Sequence, residues 1–502
     1  MVISSRIFLE FILAVIVIAA ILLFIGARFF RFRNRRLAVI TAFILFCVAF
    51  LWIFQSHFQG LLSVMPFFAA KTTPESFSGN VFYRSESGAR LFTTLILSMG
   101  FLVSIYNAEY LRKEQRQHTF YPLMLMMMAG VIGMLWAADL LLVYLFSELM
   151  NICAYSLVAY RRKSNEAIEA GFKYLMMGSV ASVIILAGIS ILFYTAGTVQ
   201  ISQIDLGRNG LSQLGALFIL SGFCLKSAIV PLHTWLPGAY SKAPSTISAL
   251  LSILEQSVFY VMLRIILSIG MPPLLLGNLF LIFALLNIFV GNLMGIMQKN
   301  LKRMLGYSTI AQLGYIALCF AIGLRNGSAL ALQSGFFMII AHALTKGLAF
   351  LGAGTFYHYE GLDNISEIRA LHNHPLFSII VLIVAVLSLS AIPPFPGFTG
   401  KWAALTSVFA ANDPLAAWIT LAFLIGSLIA FGYYLPLLVN LSGLILRRNL
   451  QNKNEEPQKK ISVWIKLPAA LLALSIILII ISPQLILNNT LDAAQFLMEL
   501  IK

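Results

Sequence analysis

Residues 213–240 read QLGALFILSGFCLKSAIVPLHTWLPGAY, an apolar run that contains one lysine and is interrupted by proline. Pro231 and Pro237 each lack a backbone hydrogen-bond donor, and proline inside a helix kinks or breaks it. Non-helical backbone is tolerated at membrane depth only where protein surrounds it or where it lines a cavity. The stretch therefore predicts a transmembrane helix that is broken within the bilayer, close to a buried Lys226.

A second apolar stretch has the same character. Residues 376–410 are interrupted by prolines at positions 393, 394 and 396, and Lys401 follows the interruption. Broken helices in corresponding halves of a chain are typical of transporters built from internal repeats, with the transport site at the breaks. The two interruptions therefore predict a repeated architecture and a transport function.

The composition places the whole chain in a membrane. Of 502 residues, 60% are hydrophobic and 11% are charged, whereas soluble proteins are about 25% charged. So few charges cannot cover soluble domains, and apolar windows of about 19 residues identify transmembrane helices. We predict an all-α polytopic membrane protein. Fourteen spans are expected near 7–27, 37–55, 91–108, 120–137, 138–158, 173–196, 213–230, 244–268, 273–296, 304–324, 329–353, 376–410, 416–440 and 464–484.

The basic residues predict orientation rather than nucleic-acid binding. The net charge is +15, but most of the lysines and arginines lie in short loops between apolar runs. With fourteen spans, 21 of these loop and terminal residues fall on one side of the membrane and seven on the other. Cytoplasmic loops carry the excess of Lys and Arg. We therefore expect a multi-pass protein of the cell (inner) membrane with both termini outside the cytoplasm.

Sequence signatures of redox cofactors, structural metals and nucleotides are absent. Cys47, Cys153, Cys224 and Cys319 are isolated from one another and lie within apolar runs. No pair has the spacing of a metal site or a CxxC motif. No GxGxxG or GxxxxGK[ST] phosphate-binding loop occurs. We expect neither a metal nor a cofactor in this chain, so any electron transfer would belong to other subunits.

Several ionisable residues lie within predicted spans, where each charge costs about 2.5–3.5 kcal/mol to insert. Five such charges cost more than about 10 kcal/mol, comparable with the stability of a whole domain. These five residues are Glu148, Lys226, Glu255, Lys346 and Lys401. A histidine, His342, lies one helical turn before Lys346. Their retention at such a cost indicates a use in ion transport.

The residue types suit proton transfer. Burial lowers the pKa of a lysine, and a nearby carboxylate raises it again. A lysine that gains and loses a glutamate partner can therefore take up and release a proton, and histidine titrates near neutral pH without such help. The alternative interpretation is a set of buried structural ion pairs, or lysines that extend to the membrane interface.

Five segments resemble a known family, the antiporter-like membrane subunits shared by respiratory complex I, Mrp cation/proton antiporters and membrane-bound hydrogenases. The segments are EAGFKYLMMGSVAS (169–182), KSAIVPLHTWLPGAYSKAPSTISALL (226–251), KNLKRMLGYSTIAQLGY (299–315), AHALTKGLAFLGAGTFYH (341–358) and IPPFPGFTGKW (392–402). The resemblance implies fourteen helices with broken helices seven and twelve. It also implies two inverted five-helix repeats. The resulting domains are 1–119 (helices 1–3), 120–268 (first repeat), 269–440 (second repeat), and 441–502 (a cytoplasmic loop and helix fourteen).

The resemblance also implies roles for matching residues. Glu148 resembles the helix-five glutamate that pairs with the helix-seven lysine, here Lys226. Lys346 with His342 occupies the helix-eleven relay position, and Lys401 matches the helix-twelve lysine. The chain departs from the family pattern in helix eight, where Glu255 and Gln256 stand in place of a central lysine or histidine.

The resulting functional hypothesis is a proton-translocating subunit of a complex I-type NADH–quinone oxidoreductase. Its partners would be other membrane subunits, protons and the lipid bilayer, with Na⁺ as the alternative ion. Rival hypotheses are a subunit of an Mrp-type Na⁺/H⁺ antiporter or a membrane-bound hydrogenase, and a scaffold subunit that does not pump. An inverted-repeat solute transporter would instead require a roomy polar pocket.

Overall fold

The computed structural model describes residues 2–30, 34–53, 86–114, 116–207, 209–369, 375–411, 413–450 and 460–501. The regular secondary structure in these ranges consists of helices, which are numbered here in chain order. The first nine are α1 (Val2–Phe30), α2 (Asn34–Ile53), α3 (Ser87–Tyr110), α4 (Gln117–Trp136), α5 (Leu140–Val158), α6 (Asn165–Ala196), α7 (Gly210–Lys226), α8 (Leu236–Lys242) and α9 (Ser245–Ser268). The others are α10 (Pro273–Ile296), α11 (Leu301–Asn326), α12 (Ala329–Glu360), α13 (Ile365–Arg369), α14 (Leu376–Leu389), α15 (Pro396–Ala410), α16 (Ala416–Leu450), α17 (Val463–Ile481) and α18 (Pro483–Ile501).

Within the described residues, twelve helices are long and apolar enough to cross a membrane, and α7 and α14 are shorter apolar helices. Each of the fourteen predicted spans coincides with one helix or with two consecutive helices. The predicted fold class, an all-α polytopic membrane protein, is therefore confirmed. The inverted repeats and the domain boundaries stay predictions. The polar sequence RRNLQNKNEEPQKK (447–460) predicts a cytoplasmic loop. Its first four residues instead belong to α16, which ends at Leu450, and most of the rest lies outside the described residues.

The chain leaves the helical conformation at both proline-containing stretches. Between α7 and α8, Ala228 adopts a φ of +54°, and between α14 and α15, Ala391 adopts the same φ. A cis peptide bond follows each of these alanines, at Val230–Pro231 and at Pro393–Pro394. Left-handed φ values are unfavourable for alanine, so the same local strain recurs in the two connections. Their sequences, SAIVP and SAIPP, are correspondingly similar.

The helices form two compact units. The first comprises Met1–Leu157, Leu175–Lys226 and Ser257–Met271, and the second comprises Val158–Tyr174, Ser227–Gln256 and Pro272–Lys502. In the second unit, α11 and α12 are buried over 94% of their most apolar windows. Polar residues on these two helices are therefore shielded by protein on almost every side.

The last helix, α18, was not predicted. The apolar run predicts a single span at 464–484, whereas in the structure α17 ends at Ile481 and α18 begins at Pro483. α17 and α18 pack against α12, where Ile479, Ile486 and Leu487 surround Phe337 and Ala341. The side-chain amide of Gln333 also donates a hydrogen bond to the carbonyl of Leu487 (2.8 Å). α18 carries polar residues between its apolar ones, so a search for apolar windows overlooks it.

Candidate ion-translocation site

Glu148 and Lys226 form an ion pair within the first unit. The Lys226 ammonium lies 2.7 Å from Oε1 of Glu148, and the lysine side chain is 3% exposed while the glutamate is 26% exposed. The contact predicted from the sequence is present. Lys226 is also the last residue of α7, where the free carbonyl groups at a helix C-terminus favour a cation.

Two hydroxyl groups complete the surroundings of this pair. Lys226 also donates to the hydroxyl of Ser147 (3.0 Å). The hydroxyl of Ser182 donates to Oε1 of Glu148, the same oxygen that accepts from the lysine. The remaining lone pairs of a buried carboxylate need such donors if the ion pair is to be stable. Sequence reasoning identified the two charges and missed both serines.

Glu255 lies in the second unit with its side chain turned inward. The residue is 4% exposed, and neither carboxylate oxygen has a hydrogen bond of normal geometry within the described residues. The groups that act on its charge are the hydroxyl of Tyr240, on α8, and the ammonium of Lys346, on α12. An arginine on the same helix, Arg264, binds the carbonyls of Leu135 and Ala137 instead.

Lys346 is buried with hydroxyl and carbonyl partners in place of a carboxylate. It is fully buried, and its ammonium donates to the carbonyl of Leu305 (2.6 Å) and to the hydroxyl of Ser308. The ring of Phe350 lies 6.0 Å away, within reach of a cation–π interaction. Nothing in the described residues forms a salt bridge with Lys346, although Glu255 influences its charge.

His342 lies one turn before Lys346 and lines a small cavity in the second unit. The cavity has a volume of about 20 Å³ and is bordered by Gln312, Thr345, Ser388 and Gly397 as well as His342. This volume accommodates about one water molecule. Neither ring nitrogen of the histidine has a hydrogen-bond partner within the described residues.

Gly397 at the start of α15 is required by close packing. A Cβ at this position would lie only 1.8 Å from the carbonyl oxygen of Ser388, so any side chain would force α14 and α15 apart. The hydroxyl of Ser388 in turn bonds the hydroxyl of Thr345 (3.0 Å). The interruption between α14 and α15 thus forms the polar wall of the cavity.

Lys401, on α15, also has no salt bridge within the described residues. It is 6% exposed and donates to the hydroxyl of Ser427 (3.1 Å). Its ammonium lies 4.2 Å from the ring centre of Tyr315 and 6.0 Å from that of Phe423. An aromatic face and one hydroxyl therefore take the place of a counter-ion.

All six predicted site residues lie within helices, and five are buried. The structure brings Glu148 together with Lys226 in the first unit. In the second unit, Glu255 and Lys346 form no salt bridge and influence one another only electrostatically. His342 and Lys401 have no acidic partner among the described residues. The residues that sequence reasoning missed are mostly uncharged, so the cost of burying a charge did not single them out.

The central part of the chain is similar to a known family of membrane proteins. Residues 137–430 match the transmembrane family described as NADH:quinone oxidoreductase/Mrp antiporter. The chain belongs to this family. The match includes every predicted site residue from Glu148 to Lys401.

Relatives of this antiporter family resemble the chain over most of its length. The NADH-quinone oxidoreductase subunit N of Halorhodospira halophila is 32% identical over 396 residues, covering 76% of this chain and 79% of that protein. Subunit N of Moorella thermoacetica is 30% identical over 352 residues, covering 68% of this chain and 72% of that protein.

Solved structures of three different complexes contain chains with the same antiporter-family fold. One is an archaeal membrane-bound sulfane sulfur reductase, at 22% identity and a TM-score of 0.84 over 99% of this chain and 98% of that chain. Another is respiratory complex I from Thermus thermophilus, at 21% identity and a TM-score of 0.72 over 95% and 98%. The third is the Mrp complex of Dietzia sp. DQ12-45-1b, at 19% identity and a TM-score of 0.77 over 99% of both chains.

Proposed function

We propose that this chain is the proton-translocating subunit of a complex I-type NADH–quinone oxidoreductase, the counterpart of subunit N. Electron transfer in partner subunits supplies the energy, and other membrane subunits surround the chain. The observation that carries the proposal is the presence of three buried lysines in three different states of pairing. Lys226 has a carboxylate at 2.7 Å, Lys346 has Glu255 as an electrostatic partner, and Lys401 has only a hydroxyl and aromatic rings.

These differences in pairing suit a stepwise relay. A charged lysine is stabilised when a carboxylate approaches and destabilised when the carboxylate moves away. Movement of Glu148 toward or away from Lys226 therefore changes the tendency of that lysine to release its proton. Glu255 exerts the corresponding influence on Lys346, and His342 with its cavity provides a proton acceptor beside it. Lys401 completes the proposed set.

The proposed assignment is tested in inverted membrane vesicles that contain the whole complex. Lys346→Ala should abolish NADH-driven proton uptake while the complex retains its subunits, because the variant removes the central titratable group. Lys173→Ala is the matched control, since Lys173 is an exposed lysine paired with Glu169 on α6. Normal proton uptake in Lys346→Ala would reject the relay and favour the scaffold hypothesis.

Measurements on the same vesicles show whether protons or Na⁺ are moved and to which branch of the family the chain belongs. Proton uptake that is independent of Na⁺ and driven by NADH supports the complex I assignment. Sodium-coupled proton exchange without NADH would identify an Mrp-type antiporter instead. Proton uptake driven by hydrogen or a sulfur compound would identify a hydrogenase-like complex.

We also propose that both termini lie outside the cytoplasm, as the distribution of basic residues indicates. The inverted repeats 120–268 and 269–440 are part of the same proposal, supported by the similar SAIVP and SAIPP connections. Reporter domains fused after residue 502 and within the 447–460 loop test the orientation. The terminal fusion should report the non-cytoplasmic side and the loop fusion the cytoplasm, and the reverse result would contradict the predicted topology.

A further inference from the structure

A row of hydroxyl-bearing side chains leaves Lys346 in a direction different from that of His342. Lys346 donates to the hydroxyl of Ser308 on α11, and this hydroxyl bonds the hydroxyl of Tyr434 on α16 at 2.6 Å. All three residues are completely buried. The Lys346 ammonium is therefore joined, through one serine, to a phenol group on a third helix.

A second row begins at Lys401 and runs toward the same helices. Lys401 donates to Ser427 (3.1 Å), and the hydroxyl of Ser427 donates to that of Tyr315 (3.2 Å). Ser427 lies on α16 and Tyr315 lies on α11, so this row connects the helices that also carry Tyr434 and Ser308.

The two rows meet at Asn292 on α10. The hydroxyl of Tyr433 donates to Oδ1 of Asn292 (2.9 Å), and the ring of Tyr433 lies against that of its neighbour Tyr434, with ring centroids 4.3 Å apart. Within the described residues no hydrogen bond joins the hydroxyls of Tyr433 and Tyr434, or the hydroxyl of Tyr315 to Asn292, although each pair is close enough to interact electrostatically. The amide of Asn292 is itself fixed by donating to the carbonyl of Gly426 (2.9 Å).

Gly426 packs closely at this meeting point. A Cβ at Gly426 would overlap Cγ2 of Ile288 and would lie 3.0 Å from the Tyr315 hydroxyl. Any side chain here would therefore displace Ile288 or the Tyr315 hydroxyl. Burying this many polar groups is costly unless each of them is hydrogen-bonded. Here hydrogen bonds join Lys346, Ser308 and Tyr434 in one series and Lys401, Ser427 and Tyr315 in another.

We propose that this hydroxyl row conducts protons between Lys346 and Lys401. The row consists of Ser308, Tyr434, Tyr433, Asn292, Tyr315 and Ser427. The inference rests on the proposed function, because it assigns the route between two members of the proposed relay. It adds residues that carry no charge and that bypass His342.

In the transfer, Lys346 gives one proton to Ser308 as the serine hydroxyl passes its own proton to Tyr434. Each following hydroxyl accepts one proton and releases another, until neutral Lys401 receives one. Lys346 ends neutral and Lys401 ends charged, with one proton moved and no electron transferred. Asn292 is a positioning residue, because an amide exchanges protons poorly. It accepts a hydrogen bond from Tyr433 and lies near the Tyr315 hydroxyl beside Gly426. The proposed route therefore needs water molecules to bridge the gaps on either side of Tyr433.

The test uses Tyr434→Phe and Tyr315→Phe in the intact complex, because phenylalanine keeps the ring and removes the hydroxyl. Each variant should lower NADH-driven proton uptake by about tenfold or more, a loss in the range of positioned proton-transfer groups. The control is Tyr121→Phe, which removes a completely buried hydroxyl bonded to Asn34 (2.8 Å) elsewhere in the protein. The Tyr121→Phe variant should pump normally. A loss of proton uptake that occurs only in Tyr434→Phe and Tyr315→Phe is then not a general effect of removing a buried hydrogen bond.

A second measurement separates conduction from structural support. Replacing Tyr434 by a fluorinated tyrosine keeps the ring and the hydroxyl but makes the phenol more acidic. A conducting phenol predicts a shifted pH profile of proton uptake, and an unchanged profile contradicts conduction.

The outcome with Lys346→Ala distinguishes the two proposals. Normal pumping in both phenylalanine variants, together with loss of pumping in Lys346→Ala, overturns the hydroxyl row and leaves the proposed relay in place. Normal pumping in Lys346→Ala overturns the proposed function itself.

Discussion

The ammonium of Lys226 lies 2.7 Å from the carboxylate of Glu148, although 78 positions separate the two residues along the chain. Each would be a costly isolated charge without the other, because a buried ion that loses its partner retains its full desolvation cost. Glu148→Ala should therefore reduce NADH-driven proton uptake by about tenfold, equivalent to about 1.4 kcal/mol in the barrier.

The assembly of the Glu148→Ala complex should remain largely intact, because Ser147 still accepts a hydrogen bond from the lysine. Native gel electrophoresis of solubilised membranes checks the assembly, and a double-mutant cycle with Lys226→Ala isolates the pairwise term. Strictly additive effects of the two substitutions would contradict a functional pair.

Glu255→Gln should abolish proton translocation while the complex assembles normally. The substitution keeps the shape and hydrogen-bonding capacity of the side chain and removes the titratable group next to Lys346 and Tyr240. The measurement is proton uptake per electron transferred.

A second variant tests whether Glu255, on α9, takes the place of the central lysine or histidine that the family resemblance implies at this point. Glu255→Gln combined with Gln256→Lys returns a basic residue to that region, and partial recovery of proton uptake is the expected result. Unchanged pumping in Glu255→Gln alone would return Glu255 to a structural role.

Asp413 predicts a pH-dependent contribution to stability outside the membrane-spanning helices. Burial alone would raise the pKa of Asp413, but hydrogen bonds from Arg325, Asn326 and the backbone N–H of Leu415 lower it below its usual value. The stabilisation is therefore fully present above the unfolded pKa and is lost as the pH falls through the lower folded pKa.

Asp413→Asn should destabilise the purified complex near neutral pH by about 3 kcal/mol, because it leaves the largely buried Arg325 without its anion. The thermal midpoint of this variant should depend less on pH than that of the wild type below about pH 4. Glu169→Gln, which affects an exposed pair, should leave both properties unchanged. Parallel acid-dependent losses in wild type and Asp413→Asn would rule out the assigned role.

The isolated chain should contain no redox cofactor. Among the residues that the structure describes, no three His, Cys, Asp or Glu side chains are grouped to bind a metal ion. Elemental analysis and flavin absorbance of the purified chain check the expectation, and the chain alone should not oxidise NADH. A stoichiometric flavin or metal bound to the purified chain would contradict this expectation.

The sequence predicted the positions of the helices and the charged part of the candidate site. Apolar windows located the spans, since their hydrophobic centres are unambiguous. Helix ends were predicted less accurately: α16 extends to Leu450, beyond the predicted limit at 440. Polar residues at the membrane surface continue a helix without adding to its apolar signal.

The hydroxyl groups could not be predicted in the same way. Ser182 contacts Glu148, and Tyr434 contacts Ser308, but serines and tyrosines are common in apolar helices for packing alone. A charged residue within an apolar run is recognisable from the sequence because its burial is costly. The role of a hydroxyl group depends on the partner that lies beside it in the folded protein. Long-range partners of this kind depend on helix packing, which a single sequence does not specify.

The packing of α18 over α12 has a consequence for biosynthesis. The ribosome makes α12, with His342 and Lys346, well before the residues that cover Phe337 and Ala341. Until α18 is complete, the part of that face which Ile486 and Leu487 cover is exposed on the nascent protein. A premature stop between α17 and α18 would leave Ile479 as the remaining cover from these two helices, and quality-control proteases would then encounter a chain that contains all its charged helices but lacks its last packing contact.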